Sequence, residues 1–247
     1  MKLFPSIFLS LLLPLAVAAQ SVQIQDGAIR AEFSVSDSTT VYFSQGNLQY
    51  QASTNTWRFA EHQWDYVLAY YRNSSFKNDF WIDLFGWGTS CYNGKNPYMT
   101  STNQAGMWRT LTKSEWNYLI SGRAQANRLM GQGRVNNVNG LILLPDSWAT
   151  ETPSSVRFTY APGNYSTNVY SLDEWAVMES YGAVFLPAAG YRYGTHVDGV
   201  GSVGDYWSSS ASDNDNADFL GFSSYYVDMS DSNRYYGLSV RLVQDVK

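Results

Sequence analysis

The amino-acid sequence predicts an α+β domain made of short antiparallel strands, two short helices and long loops. Three observations support this fold class. Short stretches with period-two alternation recur along the chain, for example at 31–35 and 238–242. Two capping-box motifs mark helix starts near 112 and 171. Aromatic residues make up 16% of the 247 residues and charged residues only 15%, so the chain can bury a large core.

The first part of the chain is predicted to be mostly strand. Strands are expected at 31–35, 41–43 and 48–50, followed by a hairpin at 51–59. A short helix is predicted at 61–71, because Trp64, Val67, Leu68 and Tyr71 fall on one helical face. The glycine-punctuated segment 82–88 is predicted to be a packed loop.

Two helices begin with the same device. Thr112 and Glu115 form one capping box, and Ser171 and Glu174 form the other. We therefore interpret both glutamates as structural rather than as an acid and a base. Each helix is followed by a buried strand that ends at proline, the first entered through a hairpin turn at 138–145 and the second at 183–187.

The C-terminal segment 204–243 has a different composition. Its flanks, 204–210 and 237–243, are predicted strands, and in the second of them Leu238, Val240 and Leu242 are expected to share one buried face. Between them, at 211–236, the alternation breaks down and Tyr, Asp, Asn and Ser dominate. Tyrosine gives contact area at low entropic cost, and short polar side chains give adaptable hydrogen bonds. We interpret 211–236 as a binding surface.

The candidate ligand-binding residues are Ser212, Asp213, Asn214, Asp215, Asn216, Asp218, Phe219, Ser223, Tyr225, Tyr226, Asp228, Asp231, Ser232, Tyr235 and Tyr236. The four tyrosines among them are the expected energetic hot spots. The alternative is an ordinary solvated loop, because Asp, Asn and Ser are also turn residues. Aromatic side chains gain nothing from exposure to water, so the composition favours a binding surface.

Charge and leader sequence restrict the partners and the compartment. The net charge is −5 and no Lys/Arg-rich run occurs, which argues against nucleic acid as the partner. Residues 1–19 have the features of a signal peptide, and 20–247 is predicted to be one domain that is exported to the periplasm, the cell surface or the medium. No membrane-spanning segment is expected in the mature chain.

No catalytic residue, cofactor or metal site is predicted. The single cysteine, Cys91, permits no internal disulfide, and neither His62 nor His196 stands in a nucleophile motif. The segment 213–218 resembles the start of a calcium loop. It lacks the glycine at the sixth position and the glutamate at the twelfth, where Ser224 stands.

Four segments resemble known proteins. Residues 108–119 resemble the "RLPTEAEWEYA" helix of the formylglycine-generating-enzyme branch of the C-type lectin fold. Residues 183–192, 206–210 and 239–243 resemble a large paralogous family of exported proteins of gut bacteria, and within it the variable proteins of diversity-generating retroelements. The resemblance extends from about 41 to 243.

The resemblance implies a C-type lectin-like fold with a scaffold at 41–203 and a surface-displayed ligand-binding segment at 204–243. Trp207 and the 237–243 strand would be the constant frame, and the residues between them would vary. The resemblance implies adenine-directed mutation of Asn codons, and Asp, Asn, Ser, Tyr, Gly and Phe are among the residues that it would yield. Formylglycine-generating activity is not expected, because no cysteine follows Cys91. The calcium-binding motifs of the lectins are also missing.

The sequence thus predicts a non-catalytic, exported binding protein. Its partner would be a protein or glycan on another cell, a phage or a host surface. One alternative is a carbohydrate-binding surface module. A glycan-acting hydrolase is less favoured, because the nearest carboxylates, such as Asp213 and Asp215, lie in a stretch with no evident environment that would raise a pKa.

Overall fold

The computed structural model describes residues 27–51, 53–54, 56–67, 81–87, 108–160 and 163–246. The strands are Phe33–Ser34 (β1), Thr40–Phe43 (β2), Leu48–Gln51 (β3), Thr56–Phe59 (β4), Trp81–Ile82 (β5), Met130–Val135 (β6), Val138–Leu143 (β7), Asn168–Tyr170 (β8), Val184–Pro187 (β9), Tyr191–Tyr193 (β10), His196–Asp198 (β11), Gly204–Ala211 (β12), Asn216–Phe222 (β13), Val227–Asn233 (β14) and Val243–Asp245 (β15). The α-helices are Lys113–Asn117 (α1), Trp148–Glu151 (α2) and Leu172–Ser180 (α3). A π-helix at Tyr118–Gly122 continues α1, and a 3₁₀ turn lies at Ala126–Arg128.

This architecture confirms the coarse fold class, a mixture of α and β with mostly short antiparallel strands in several small sheets. The sheets have the strand orders β1-β2-β15, β4-β3-β5, β8-β6-β7-β9, β10-β11 and β12-β13-β14. Among the described strands, only β6 and β8 pair in parallel. The predicted signal peptide 1–19, Cys91 and the residues 68–71 lie outside the described part of the chain.

Most of the predicted strands are confirmed, and one predicted turn is displaced. The hairpin at 51–59 forms with Gln51 opposite Thr56. The predicted strand at 183–187 is β9. The turn expected within 138–145 lies just before it, because Asn136 and Asn137 take the left-handed backbone of a tight hairpin turn, with φ of 48° and 63°.

The predicted helix at 61–71 is wrong for its described part. Residues 61–67 form turns, in which the Asp65 carboxylate accepts a hydrogen bond from the backbone N–H of His62 at 3.0 Å. The fully buried residue of this segment is the polar Gln63, whose amide oxygen accepts from Phe185 N at 2.7 Å. Local carboxylate capping and a buried amide therefore replace the expected apolar helix face.

Both capping boxes are confirmed. The Thr112 hydroxyl accepts from the backbone N–H of Glu115, and the Glu115 carboxylate accepts from the backbone N–H of Thr112 at 2.8 Å. Ser171 and Glu174 make the same pair of bonds at the start of α3. Glu115 also receives two hydrogen bonds from the buried guanidinium of Arg109, so it joins α1 to the neighbouring extended segment. The structural interpretation of both glutamates agrees with these contacts.

The expectation that 211–236 lacks regular structure is wrong. Strands β12, β13 and β14 form an antiparallel meander across this segment, with Phe219 opposite Trp207 on one side and opposite Ser230 on the other. Polar residues concealed the alternation, because β14 is the outer strand of the sheet and carries polar side chains on both faces. Gly204 in β12 is required for close packing, since a Cβ there would lie 2.1 Å from the Phe222 ring.

The predicted strand at 237–243 also differs in detail. Regular strand structure is confined to β15, while 237–239 form isolated bridges to Arg192, Phe85 and Tyr206. Leu238, Val240 and Leu242 are buried, as expected. Ser239 and Arg241 are buried as well, which contradicts the expected single buried face. The segment runs through the interior instead of along one side of a sheet.

The meander is packed on both faces near its centre. Tyr206, Leu220 and Phe222 belong to a buried cluster that includes Trp116 of α1. Trp207 and Ala217 belong to a second cluster with Leu238, Val240 and Leu242. A third cluster lies around Trp175 of α3.

No helix in the described ranges is long and apolar enough to cross a membrane.

Candidate functional site

The candidate site lies where the meander meets the β10–β11 hairpin. Four tyrosines from these two regions contact one another there, and we call them the tyrosine cluster: Tyr191, Tyr193, Tyr235 and Tyr236. The ring centroids of Tyr193 and Tyr236 are 5.1 Å apart, and those of Tyr235 and Tyr236 are 5.2 Å apart. Tyr193 is 50% exposed and Tyr235 is 47% exposed, so the cluster presents aromatic surface to solvent.

Most of the predicted site residues are accessible. The exposed ones are Ser212, Asp213, Asn214, Asp215, Tyr225, Tyr226, Asp228, Asp231 and Tyr235. The partly exposed ones are Asn216, Phe219, Ser232 and Tyr236. Asp218 and Ser223 are buried. Tyr225 is the most exposed, at 89%, and it stands in the turn between β13 and β14.

The turn that joins β12 to β13 is held by its own side chains. The Asp213 carboxylate accepts from the backbone N–H groups of Asp215 at 2.8 Å and Asn216 at 2.7 Å. A further hydrogen bond from the Asn216 side chain has the largest effect on the pKa of Asp213. Together with the two backbone bonds it lowers that pKa. Asp213 and Asn216 therefore shape the turn, and Asn214 and Asp215 are presented at its tip.

A cation from the protein itself is bound to this turn. The Arg234 guanidinium donates to the backbone oxygens of Asp213 and Asn216, and it lies 4.4 Å from the centre of the Trp87 ring. No three His, Cys, Asp or Glu side chains of the described ranges are grouped so that they could hold a metal ion. Residues 213–216, at the start of the segment that resembles a calcium loop, form a turn capped by Asp213.

Asp218 and Ser223 have structural contacts. The Asp218 carboxylate, on β13, accepts from the Lys113 ammonium of α1 at 2.7 Å. This hydrogen bond raises the pKa of Lys113, and the charge of Asp231 adds to the effect. The Ser223 hydroxyl accepts from the Tyr225 backbone N–H at 3.1 Å and so closes the β13–β14 turn. Neither residue is available to a ligand at the outer surface.

A cavity beside the tyrosine cluster contains a carboxylate that sequence reasoning missed. The cavity has a volume of about 210 Å³ and is lined by Tyr191, Asp205, Phe219, Ser232, Tyr236 and Leu238. Asp205 is only 8% exposed, and burial raises its pKa to about 7. Across the described chain, no side chain or backbone group donates a hydrogen bond to this carboxylate, and no basic nitrogen lies within salt-bridge distance of it.

Register explains why Asp205 faces this cavity. Asp205 and Trp207 alternate with Tyr206 along β12, so they share the face that also carries Phe219 and Gly221 of β13. Asp205 stands opposite Gly221, where a Cβ would lie 3.5 Å from its carboxylate oxygen, 3.5 Å from the Tyr226 ring and 3.1 Å from the Phe219 ring. The missing side chain of Gly221 leaves room beside the carboxylate.

Three residues of the site were not predicted. Tyr191 and Tyr193 come from a hairpin far from 211–236 in sequence, and no local pattern points to them. Asp205 offers one signal, because it is an acidic residue two positions before a tryptophan in a predicted strand. Residues two apart in a strand share a face, so a buried Trp207 implies a partly buried carboxylate.

The exposed carboxylates give the surface a negative bias. Asp215, Asp228 and Asp231 are exposed around the meander, and Asp205 lies in the cavity. The rings and carboxylates together suit contact with basic or hydrogen-bond-donating groups.

Comparisons of the chain with protein-family models, with curated proteins and with solved structures found no match.

Proposed function

We propose that this chain is an exported, non-catalytic binding protein that recognises a macromolecular partner through the outer surface of the meander and the tyrosine cluster. The observation that carries the proposal is the exposed tyrosine cluster on a buried frame. Tyr193 is 50% exposed and Tyr235 is 47% exposed, while Tyr191 and Tyr236 pack against the buried cluster that contains the fully buried Trp207. Tyrosines that are held by a rigid scaffold are typical of binding hot spots.

Two further observations support a binding role. The turns that flank the exposed residues are fixed by Asp213, Arg234 and Ser223, so the surface is preorganised before a partner arrives. Asp228 is exposed on the face of the meander that carries Phe219 and Gly221, and Asp215 is exposed in the β12–β13 turn. Both would select a partner with basic groups. A specific interface needs roughly 800 Å² per partner, for which such a surface is suited.

The finer fold belongs to the same proposal. We infer a C-type lectin-like fold from the resemblance of 108–119, 183–192, 206–210 and 239–243. These segments form the capped start of α1, strand β9, part of β12 and the buried path into β15. Under this proposal 211–236 is the variable part. A second copy of its coding sequence that differs at adenines, next to a reverse transcriptase gene, would support diversification by a retroelement.

The experiment compares three proteins in selection against displayed protein and glycan libraries. The first is the wild type, and the second carries Tyr193→Ser, Tyr225→Ser and Tyr235→Ser. The third is a matched control with Val169→Ser, Leu172→Ser and Val177→Ser, which removes comparably exposed apolar side chains from β8 and α3. Thermal unfolding of all three proteins verifies that they are folded.

We expect the wild type and the control to bind the same partner, and the tyrosine variant to lose it. Truncating one hot-spot tyrosine costs about 2 kcal/mol or more, roughly thirtyfold in affinity. Competition by free sugar would assign the partner to the glycans and favour a carbohydrate-binding module. Equal loss of binding in the control and the tyrosine variant would contradict the proposed surface.

A further inference from the structure

We propose that the cavity around Asp205 binds an organic cation, namely the primary ammonium or guanidinium group at the end of a lysine or arginine side chain. The assignment of this cation to a macromolecular partner rests on the proposed function. The preference of the cavity for a cation does not, because it follows from the residues that line it.

The first argument is the unsatisfied carboxylate. Asp205 is more than nine-tenths buried, and no donor of the described chain reaches its oxygens. The carboxylate oxygens are not among the unpartnered side-chain atoms that are sealed from solvent, so they remain open to the cavity, where water or a ligand can reach them. The other buried carboxylates of the described chain have partners: Asp218 accepts from Lys113, and Asp83 accepts from the backbone N–H of Val67 at 2.6 Å. The environment of Asp205 is therefore that of a ligand-binding group.

The second argument is the aromatic lining. Tyr191, Phe219 and Tyr236 line the same cavity as the carboxylate. The face of an aromatic ring attracts a cation, and the attraction is stronger where water is excluded. A carboxylate enclosed by rings is a suitable environment for an ammonium or guanidinium group. It is unsuitable for a divalent metal ion, which requires several oxygen ligands.

The third argument is size. The cavity measures about 210 Å³, below the roughly 300–1,000 Å³ of sites for drug-sized ligands. It suits one side chain better than a cofactor. Its lining residues Tyr191, Phe219, Ser232 and Tyr236 are all partly exposed, so the cavity is open to the outer surface. A side chain that projects from a partner on the tyrosine cluster would reach it.

The protein's own buried arginine does not satisfy Asp205. Arg192 follows Tyr191 on β10, but its guanidinium donates to Gly194 O at 3.1 Å and packs beside Gly237. Burial lowers the pKa of Arg192 to about 10, and no carboxylate contributes to that change. Arg192 therefore neither lines the cavity nor pairs with the Asp205 carboxylate.

The experiment titrates the purified protein with Nα-acetyl-lysine amide and with Nα-acetyl-norleucine amide, which has a similar chain but no charge. Calorimetry or NMR measures binding at about pH 8, where the Asp205 carboxylate is largely ionised. We expect the lysine probe to bind at least tenfold more tightly, a difference of about 1.4 kcal/mol.

Three variants assign the effect to the cavity. Asp205→Asn keeps the shape and removes the charge, so the preference for lysine should disappear. Gly221→Ala places a methyl group 3.5 Å from the Asp205 oxygen, so the affinity for the lysine probe should fall severalfold. Asp173→Asn is the control, because Asp173 is an exposed carboxylate on α3, outside the meander and the tyrosine cluster. Its affinity should match that of the wild type.

The result that would overturn the inference is equal binding of the two probes, or an equal loss in Asp173→Asn and Asp205→Asn, which would indicate diffuse surface charge. Thermal unfolding shows whether each variant is folded. The proposed function can fail while this inference holds. If the protein binds the lysine probe but no macromolecular partner is found, the cavity still binds an organic cation and only the proposed function is contradicted. If a macromolecular partner binds Asp205→Asn and the wild type with equal affinity, the cavity is not part of the interface with that partner.

Discussion

Asp205 and Trp207 lie two residues apart on the same face of β12, yet their surroundings differ. The Trp207 ring is fully buried, and its Nε1 donates to the backbone oxygen of Phe85 at 2.6 Å. The Asp205 carboxylate is buried without a comparable partner in the described part of the chain. One strand face therefore supplies both a satisfied frame residue and an unsatisfied candidate site residue.

The first prediction concerns the pH dependence of stability. The pKa of Asp205 is about 7 in the folded state, against an ordinary value of 3.8. Between these values the folded state binds more protons than the unfolded state, so the free energy of unfolding falls as pH rises from about 4 to about 7. Asp205→Asn removes this loss. At about pH 8 the variant should be more stable than the wild type by up to about 4 kcal/mol.

Urea unfolding between about pH 4 and pH 8 tests this prediction, with Asp228→Asn as an exposed control. The difference between Asp205→Asn and the wild type should shrink as pH falls and become small near pH 4. A difference that is constant with pH would mean that the Asp205 carboxyl titrates normally in the folded protein.

At the scale of elements, α1 is joined to the meander by a shared cation. Asp218 on β13 and Asp231 on β14 stand directly opposite each other, and like charges in this arrangement repel. The Lys113 ammonium lies 2.7 Å from Asp218, and the Asp231 charge also acts on it. One lysine at the start of α1 thus compensates both carboxylates.

The second prediction follows from this arrangement. Lys113→Gln should destabilise the fold by about 1–3 kcal/mol, because the buried Asp218 carboxylate loses its charged donor. Asp231→Asn should recover part of that loss, since it removes the opposing charge. A double-mutant cycle measured by urea unfolding gives the coupling between Lys113 and Asp231. Additive effects would show that Lys113 compensates Asp218 alone.

The two capped helix starts and strand β14 differ in the sequence separation of the residues that stabilise them. The capping boxes at Thr112 and Ser171 are visible in the sequence, because the two partners are three residues apart. The π-helix after α1 and the short helix α2 have no such local signature. Strand β14 was missed because its stability comes from pairing with β13 and from contacts with α1, while its own residues are mostly polar.

At the scale of the whole molecule, stability and recognition are expected to be separable. Trp207 lies in the buried cluster with Leu238, Val240 and Leu242, whereas Tyr225 is 89% exposed in a turn. Trp207→Ala should cost about 3–5 kcal/mol of unfolding free energy. Tyr225→Ala should change it by no more than about 0.5 kcal/mol. Urea unfolding of the two single variants measures both values.

Binding should follow the opposite order. Tyr225→Ala should lower the affinity for the partner selected under the proposed function. Trp207→Phe retains most of the buried ring, so the folded variant should bind the partner with the affinity of the wild type. If Tyr225→Ala unfolds the chain and Trp207→Ala does not, frame and surface have been assigned in reverse.

By itself, the sequence determined those features whose physical causes are local. The fold class, the two helix starts, the hairpin at 51–59 and the burial of Leu238, Val240 and Leu242 follow from short-range capping, turn chemistry and alternation. The composition also distinguishes 211–236 from the rest of the chain, because Tyr, Asp, Asn and Ser dominate it. These features depend on residues within one helical turn or one strand of each other.

Only the tertiary structure decided which of those residues share a surface. The pairing of β13 with β14 places buried Asp218 directly opposite exposed Asp231, and the β10–β11 hairpin brings Tyr191 and Tyr193 to Tyr236. The cavity at Asp205 exists because strand register places Asp205 opposite Gly221, in a cavity that Tyr191 and Tyr236 also line. Such contacts depend on pairing between distant segments, and no local pattern in the sequence encodes them.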